Sequence, residues 1–311
     1  MARLEVLDLW NVFNPSIVET VEGVAIAFRA GRWPGDRPFR AYYLPPGEET
    51  ARPLDLTEAF AFYGITVVSD PKLLLLENEI WVTFNTGHFE NPNRIFAARL
   101  HPAMSAPYEL VIRGRQSIEK NWALFRRKSA LHVVYSVSPL VVLKQQELTS
   151  DRQIVFGPLV SNEAAERSGV GVLTLGSQLA ALEAKGAGFA AIVHRKFSWK
   201  GKRSYLGLAA RIWLEDETYK ITFDRNYLAH SIRSLRGDKI RHNPNLLSCT
   251  YFSGLIVTGE HAILSYGIND VTAGFADIPA CSIGLGTQAI NQCWNARRYL
   301  NKTVPDNSNR R

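Results

Sequence analysis

Five short stretches of the chain set charged or amide side chains against strongly apolar neighbours. They are Asn14-Pro15 in VFNPSI, Asp70-Pro71 in SDPKLLLL, Glu119-Lys120-Asn121-Trp122 in IEKNWALF, His194-Arg195 in IVHRK, and Asn269-Asp270 in YGIND. Carboxylates, a lysine, a histidine and an arginine brought to one place can do acid/base work on a bound polar molecule. Each group also has a plainer role. Asp-Pro and Asn-Pro start turns, because the short polar side chain bonds nearby backbone and proline presets φ. Asn269-Asp270 then closes a turn, Glu119-Lys120 is a solvated ion pair, and His194 is a satisfied core histidine. Recurrence once per structural repeat is what shifts these groups toward chemistry.

The repeats are made of strands. β-Branched and aromatic residues run in groups of five to eight, broken by polar or glycine turns. VAIAFRA (24–30) is the first such run. LLLL, IWVTFN and RIFAARL form a set, as do WALF, LHVVYSV and LVVLK, then GFAAIVHRKF, YLGLAARIWL and YKITFD, and last SGLIV, AILSYGI and TAGFADI. Comparable hairpins therefore begin near residues 24, 73, 122, 188 and 254. One four-stranded sheet per unit, repeated at this spacing, is the pattern of a propeller, because a lone sheet cannot bury both of its faces whereas sheets stacked around an axis can. The expectation is an all-β, five-bladed β-propeller over residues 1–290, with a polar C-terminal tail at 291–311. A pair of β-sandwiches is the competing arrangement. Residues 161–186 interrupt the pattern and read as an insertion between blades, with one short helix at most. In a propeller the groups ahead of the innermost strands meet at one end of the channel, where Asp70 and its counterparts would face one another.

Composition narrows the classes further. The 311 residues are 46% hydrophobic and 21% charged, enough for a sizeable core in a soluble protein. No stretch approaches the roughly 20 apolar residues of a membrane span. Acidic residues in MARLEVLDLW interrupt what a signal peptide would need. Three cysteines are too few and too irregular for a disulfide framework or a zinc site, and the chain reads as cytoplasmic, with no metal and no cofactor. A net charge of +7 favours an anionic partner: phosphate, a nucleotide or an acidic glycan. No run of five basic residues and no basic-aromatic motif of a nucleic-acid reader occurs, so nucleic acid is not expected. There is no G-x-S-x-G elbow, no H-E-x-x-H and no G-x-G-x-x-G.

The segments FNPSI, SDPKLLLLENEIWVTFN, IEKNWALF, VHRK and SGLIVTGEHAILSYGIND, in that order, resemble glycoside hydrolase family 130, its β-mannoside phosphorylases, and similar propellers of polysaccharide-biosynthesis proteins. The resemblance spans roughly residues 10 to 280. It implies that Asp70 is the general acid, matching the aspartate of a Glu-Asp-Pro-Arg motif, that Lys120 lies in the lysine motif opening the third blade, and that Tyr266 to Asp270 closes the last. Ser69 stands where the family has glutamate, Lys72 where it has arginine, and Asn121-Trp122 where it has small residues. The implied activity is single displacement at a glycosidic bond, as a glycosidase, phosphorylase or glycosyltransferase. Asp270 or Glu119 would act as base, and Asn14, Lys120, Asn121, Trp122, His194, Arg195 and Tyr266 would bind substrate. Trp10 and Trp33 join Trp122 as candidates to stack on sugar faces. Implied partners are an oligosaccharide, sugar phosphate or nucleotide sugar, inorganic phosphate, and a glycosyltransferase working alongside. A catalytically inactive glycan-binding propeller is the alternative.

Overall fold

The computed structural model describes residues 2–3, 6, 8–32, 39–47, 52–158, 173–182, 188–229 and 246–285. Trp33 and the tail from 291 lie outside the described residues. After a two-residue strand β1 (Ala2–Arg3), the chain builds a first antiparallel set from β2 (Trp10–Thr20), β3 (Gly23–Gly31), β4 (Arg40–Leu44) and β5 (Leu54–Asp55). A short helix, α1 (Leu56–Ala61), follows, capped where the Asp55 carboxylate accepts from Glu58 N. The second set is β6 (Ser69–Leu76), β7 (Glu79–Asn85), β8 (Ile95–His101) and β9 (Tyr108–Ile112). The third is β10 (Ala123–Arg127), β11 (Ala130–Val137), β12 (Leu140–Leu148) and β13 (Gln153–Pro158), with β13 running parallel to β9.

The fourth set opens with β14 (Leu173–Leu175) and β15 (Ala180–Leu182), both paired with β16 (Gly188–Trp199), and continues through β17 (Lys202–Glu215) and β18 (Thr218–Leu228). The described part of the expected insertion is thus an innermost strand, not a helix. It is broken at Gly176-Ser177, where an added Cβ would meet the His194 ring. The last set is β19 (Leu246–Thr258), β20 (His261–Ile268) and β21 (Thr272–Pro279), and β1 completes it by pairing with β21. Two expected set boundaries move by one strand. VAIAFRA and GFAAIVHRKF are second strands, because the strands ahead of them carry polar breaks that read as loops.

Alternation along the first strands explains why the sets stack. In β6, Leu73 faces a cluster with Val18, Phe60 and Phe84, whereas Leu74 and Leu76 face one with Trp122, Leu124 and Leu131. Leu73, Leu74 and Leu76 are buried across both faces while Leu75 is exposed, and burial on both faces is why the strand reads as an apolar run. Each such leucine contributes roughly 1.5–3 kcal/mol on burial. Further clusters join the third set to the fourth (Phe125, Val193, Tyr219), the fourth to the fifth (Ile192, Phe252, Leu264) and the fifth back to the first (Ala273, Val12, Phe28). The stacking therefore closes on itself.

A belt of polar latches crosses these interfaces. The Ser16 hydroxyl accepts from Leu73 N at 2.8 Å, and the Ser253 hydroxyl donates to Pro15 O at 2.6 Å. Gln178 spans three sets. Its Oε1 accepts from Leu124 N at 3.2 Å, and its Nε2 donates to Thr83 Oγ1 at 2.8 Å and Trp122 O at 3.0 Å. β2, β6 and β10 have no ladder partner on their inner edge, and such side chains satisfy the backbone there, as Ser16 does for Leu73 N and Gln178 for Leu124 N.

Candidate active site

Three first strands carry the same distortion, within β2, at the start of β6 and just ahead of β10. Asn14, Asp70 and Asn121 have φ of 49°, 51° and 60°, the left-handed region that Asn and Asp tolerate better than other non-glycine residues. The ladder slips beside two of them, between Phe13 and Ser16 and between Ser69 and Lys72. Asp70 thereby reaches the neighbouring sets on both sides. Its Oδ1 accepts from Arg29 Nη1 at 3.5 Å and its Oδ2 from Lys120 Nζ at 3.4 Å, with the side chain 14% exposed. Burial alone would raise this carboxyl, but the charges of Lys120, Arg29 and Lys72 outweigh it and hold Asp70 well below the usual carboxylate range. Arg29 is itself placed by aromatic faces, 5.3 Å from the Phe13 ring and 5.8 Å from Phe39, and its Nε has no hydrogen-bond partner.

Below Asp70, Lys72 is 2% exposed and donates to Ser253 O at 3.4 Å. Its ammonium lies 4.6 Å over the Tyr251 ring. Burial pulls its pKa down to about 7 against the opposing pull of Asp70. His194 stacks on the other side of this group, 4.3 Å from Tyr251 at 30°. It accepts from Phe252 N at 2.9 Å through Nε2, so the neutral ring carries its proton on Nδ1, which has no partner. Burial, helped by Lys72, lowers His194 to about 3. The Tyr251 phenol lies beside Asn121 and is pushed well above its ordinary value, first by burial and then by Asp70. Neither its hydroxyl nor Asn121 Oδ1 makes a satisfactory hydrogen bond. A cavity of ≈ 10 Å³ runs between Asp70, Lys72, Asn121 and Trp122, room for about one water.

The rim continues across the mouth. His88, in the turn between β7 and β8, is lowered by the Lys120 charge, by burial and by Arg203, with Asp70 opposing. Tyr205 is raised by burial and senses Arg203 and Asp270. Asn269 and Asp270, both with positive φ, form the β20–β21 turn, and Asn269 Oδ1 accepts from Cys249 N at 2.9 Å.

The expected residues therefore separate. Asp70, Lys120, Asn121 and Asn14 meet at the mouth, where Asn14 packs so tightly on Gly267 that a Cβ there would lie 2.2 Å from Asn14 Oδ1. Asp270 lies across the rim beside Arg203. Glu119 turns away from Asp70. Its Oε1 accepts from Gln116 N at 2.7 Å and from the Tyr135 hydroxyl, and its backbone is clamped by Asn93. It braces the loop that presents Lys120. His194 and Arg195, adjacent on a strand, point to opposite faces. The histidine enters the core, and the guanidinium lies over Phe197 and Tyr227. Trp122 is 2% exposed, packed against Tyr135 and Phe156, and Tyr266 is 4% exposed against Phe252, so neither presents a face to a sugar. Trp10 is 51% exposed.

Arg29, Lys72, His88, Arg203 and Tyr251 join the site without having been singled out for it. Arg29 in VAIAFRA and Lys72 in SDPKLLLL carry a readable signal, a lone charge inside an apolar strand, which burial allows only with a partner. His88, Arg203 and Tyr251 carry none, because only the closure of the ring places them there.

An all-β, propeller-type scaffold with a charged cluster at one end of its first strands is the class that the fold and site define. No protein-family model matches the chain, and no curated protein matches its sequence. Solved structures do match its fold. One is described as a GH130 mannoside phosphorylase family member, of a family containing glycoside hydrolases that target β-1,2 mannosidic linkages in Candida mannan. It has a TM-score of 0.59 at 11% identity, over 90% of both chains. A mannose phosphorylase from Leishmania mexicana, in complex with phosphate, has a TM-score of 0.54 at 12% identity, over 91% of this chain and 88% of that one. A β-1,2-mannobiose phosphorylase from Listeria innocua, in complex with β-1,2-mannobiose, has a TM-score of 0.54 at 9% identity, over 90% and 94%. The fold is that of the GH130 propellers.

Proposed function

We propose that this chain is a carbohydrate-active enzyme that makes or breaks a glycosidic bond by single displacement on a five-bladed propeller, with Asp70 as the acid/base group. The observation that carries this reading is the Asp70 carboxylate held between Arg29 and Lys120 at the meeting of three strand sets. A phosphate or sugar phosphate bound there would engage the two cations. Neutralising them removes what holds Asp70 ionised, so its proton affinity climbs back toward the range a general acid needs. In the cleavage direction the Asp70 proton passes to the glycosidic oxygen as its bond to the anomeric carbon breaks. A phosphate oxygen attacks that carbon from the opposite face, giving an inverted sugar 1-phosphate. Synthesis is the reverse. Phosphate needs no second carboxylate, whereas water would need Asp270 as base. The gathered cations favour phosphate or a phosphorylated donor.

A glycan-binding module without turnover is the second reading, favoured by the saturation of Asp70 by two cations at rest. Wild type and Asp70→Asn, incubated with pooled oligosaccharides plus phosphate and with pooled sugar phosphates and nucleotide sugars, are compared by mass spectrometry. A product made by wild type alone supports the enzyme, and its mass separates phosphorolysis, hydrolysis and transfer. No product from either, with sugar still retained, leaves the binding module.

A further inference from the structure

The loop between β7 and β8, residues 86–94, is tied down along its length. Thr86 N donates to Arg94 O at 3.0 Å and Arg94 N to Thr86 Oγ1 at 2.9 Å, which closes its base. Asn85 Oδ1 accepts from Gly87 N at 2.8 Å, and the Glu90 carboxylate accepts from Arg94 Nε at 2.9 Å and Nη2 at 3.1 Å. Asn93 is wholly buried and fastens this loop to the one that presents Lys120. Its N donates to Ser117 O at 2.8 Å and its Nδ2 to Glu119 O at 2.7 Å. Gly87, with φ of 68°, turns the chain close over β6, and a Cβ there would lie 2.9 Å from Ser69 Oγ and 3.6 Å from Phe89 Cδ2. Phe89 and Ser69, the neighbour of Asp70, thus meet at Gly87. The Phe89 side chain is nevertheless 64% exposed. Single exposed apolar residues are common and need no explanation, but one held still beside the mouth of a site does. His88, next to it, is exposed as well and lies near enough to Lys120, Arg203 and Asp70 to feel each charge.

We propose that Phe89 and His88 form a subsite for an uncharged pyranose unit, the Phe89 ring stacking on the sugar's C–H face and His88 bonding one of its hydroxyls. The inference rests on the glycan reading above and deepens it. The substrate is a chain of sugars, with one unit at Asp70 and a further unit lying on the β7–β8 loop. A pyranose presents an apolar C–H face and an edge of hydroxyls, and the pair answers both. An aromatic ring meets the first. A neutral imidazole, with one donor and one acceptor, meets the second, since a hydroxyl both gives and takes a hydrogen bond. Lys120 first, then burial and Arg203, lower the proton affinity of His88 against the pull of Asp70, so the ring is uncharged at neutral pH. Trp122 and Tyr266 are buried and cannot serve as the stacking face. A loop fixed by its own hydrogen bonds loses little freedom on binding, and a phenylalanine has only two torsions to arrest.

The test is calorimetric binding of the full chain to four neutral probes, β-1,2-mannotriose, cellotriose, xylotriose and chitotriose, each against its own monosaccharide. Wild type is expected to bind at least one trisaccharide about tenfold or more tightly than the single sugar. Phe89→Ala should remove about tenfold of that affinity with the melting temperature unchanged, Phe89→Trp should keep it, and His88→Ala should weaken it by a smaller factor. No trisaccharide bound by wild type, a trisaccharide bound no better than its monosaccharide, unchanged affinity in Phe89→Ala, or equal loss in Phe89→Ala and Phe89→Trp overturns the proposal. So does a wild-type dimer that Phe89→Ala dissociates in light scattering, because a second copy would then cover the ring. The readout is affinity, so the two proposals fail separately. Turnover by wild type, with Phe89→Ala binding sugar equally well, keeps the enzyme and removes the subsite. Loss of binding in Phe89→Ala, with no turnover by wild type, keeps the subsite on a binding module.

Discussion

The first strands of the sets finish twice, and the two ends differ in kind. At one end they present Asn14, Asp70 and Asn121 around a cavity of ≈ 10 Å³, with Arg29, Lys72 and Lys120 converging on one carboxylate. At the other they splay around a funnel of ≈ 500 Å³ whose wall includes Leu75, Leu179, Phe189 and Val257, with Glu77 and Arg126 paired at 3.5 Å on its edge. Volume would choose the second end, since large apolar concavities are the usual ligand sites. Proton affinity chooses the first, because Asp70, Lys72, His194 and Tyr251, all strongly displaced from their ordinary values, cluster there. The contrast teaches that concavity and displaced proton affinity need not coincide: the charged end is narrow, whereas the wide mouth is the geometry of strands diverging from an axis.

Asp70→Asn should break the symmetry most severely. Turnover is expected to fall about 10²–10⁴-fold with sugar affinity nearly retained, measured as kcat against Kd on whatever substrate the screen returns. A loss of affinity with kcat intact would move the chemistry away from this end. The same variant changes acid stability. Asp70 is held below its ordinary 3.8, so the stability it contributes is complete above that pH and lost as pH falls toward the folded value. Wild-type melting temperature should therefore drop more steeply below pH 4 than that of Asp70→Asn.

Next in size is the belt between the two ends. Gln178→Leu strips partners from Leu124 N, Trp122 O and Thr83 Oγ1 and should cost about 2–4 kcal/mol in chemical denaturation. Lys72→Met sharpens the account of the charged end. Folded Lys72 releases its proton near 7 and the unfolded chain holds it to about 10.5, so the unfolded state binds more protons between those values and wild-type stability should rise with pH across them. In the variant that rise should flatten. The smallest effect is expected at the funnel. Leu75→Ala, at a residue 43% exposed, should change stability by less than about 1 kcal/mol and turnover not at all. A kinetic defect there would overturn the comparison.

The sequence exposed the strands and the repeated grammar well, because burial on both faces puts apolar residues at consecutive positions, as at Leu73 and Leu74. It misplaced strands wherever the first strand of a set is polar. Residues 10–20 carry Asn14-Pro15, and residues 173–182 carry the Gly176-Ser177 break, and both pass for loops when read locally. Asp70 was legible because carboxylate, proline and apolar run stand together, and Lys120 because it recurs at the same place in the next set. His194 and Arg195 look like one site in a line of text, yet strand geometry sends them to opposite faces. Arg203 and His88 affect one another across the mouth although more than a hundred residues separate them, a proximity that no local pattern encodes.

Ala2 and Arg3 pair with Phe275 and Gly274, so one of the smallest strands in the molecule joins segments near opposite ends of the described chain. During synthesis the partner of β1 does not exist until almost every other strand has been made. The edge that β1 covers is that of β21, so closure waits for the last described strand, and an unclasped β21 would offer its edge to a neighbouring chain. Contacts between such distant residues are also the slowest to form. The exposed interval is therefore the one between the making of β21 and its pairing with Ala2 and Arg3.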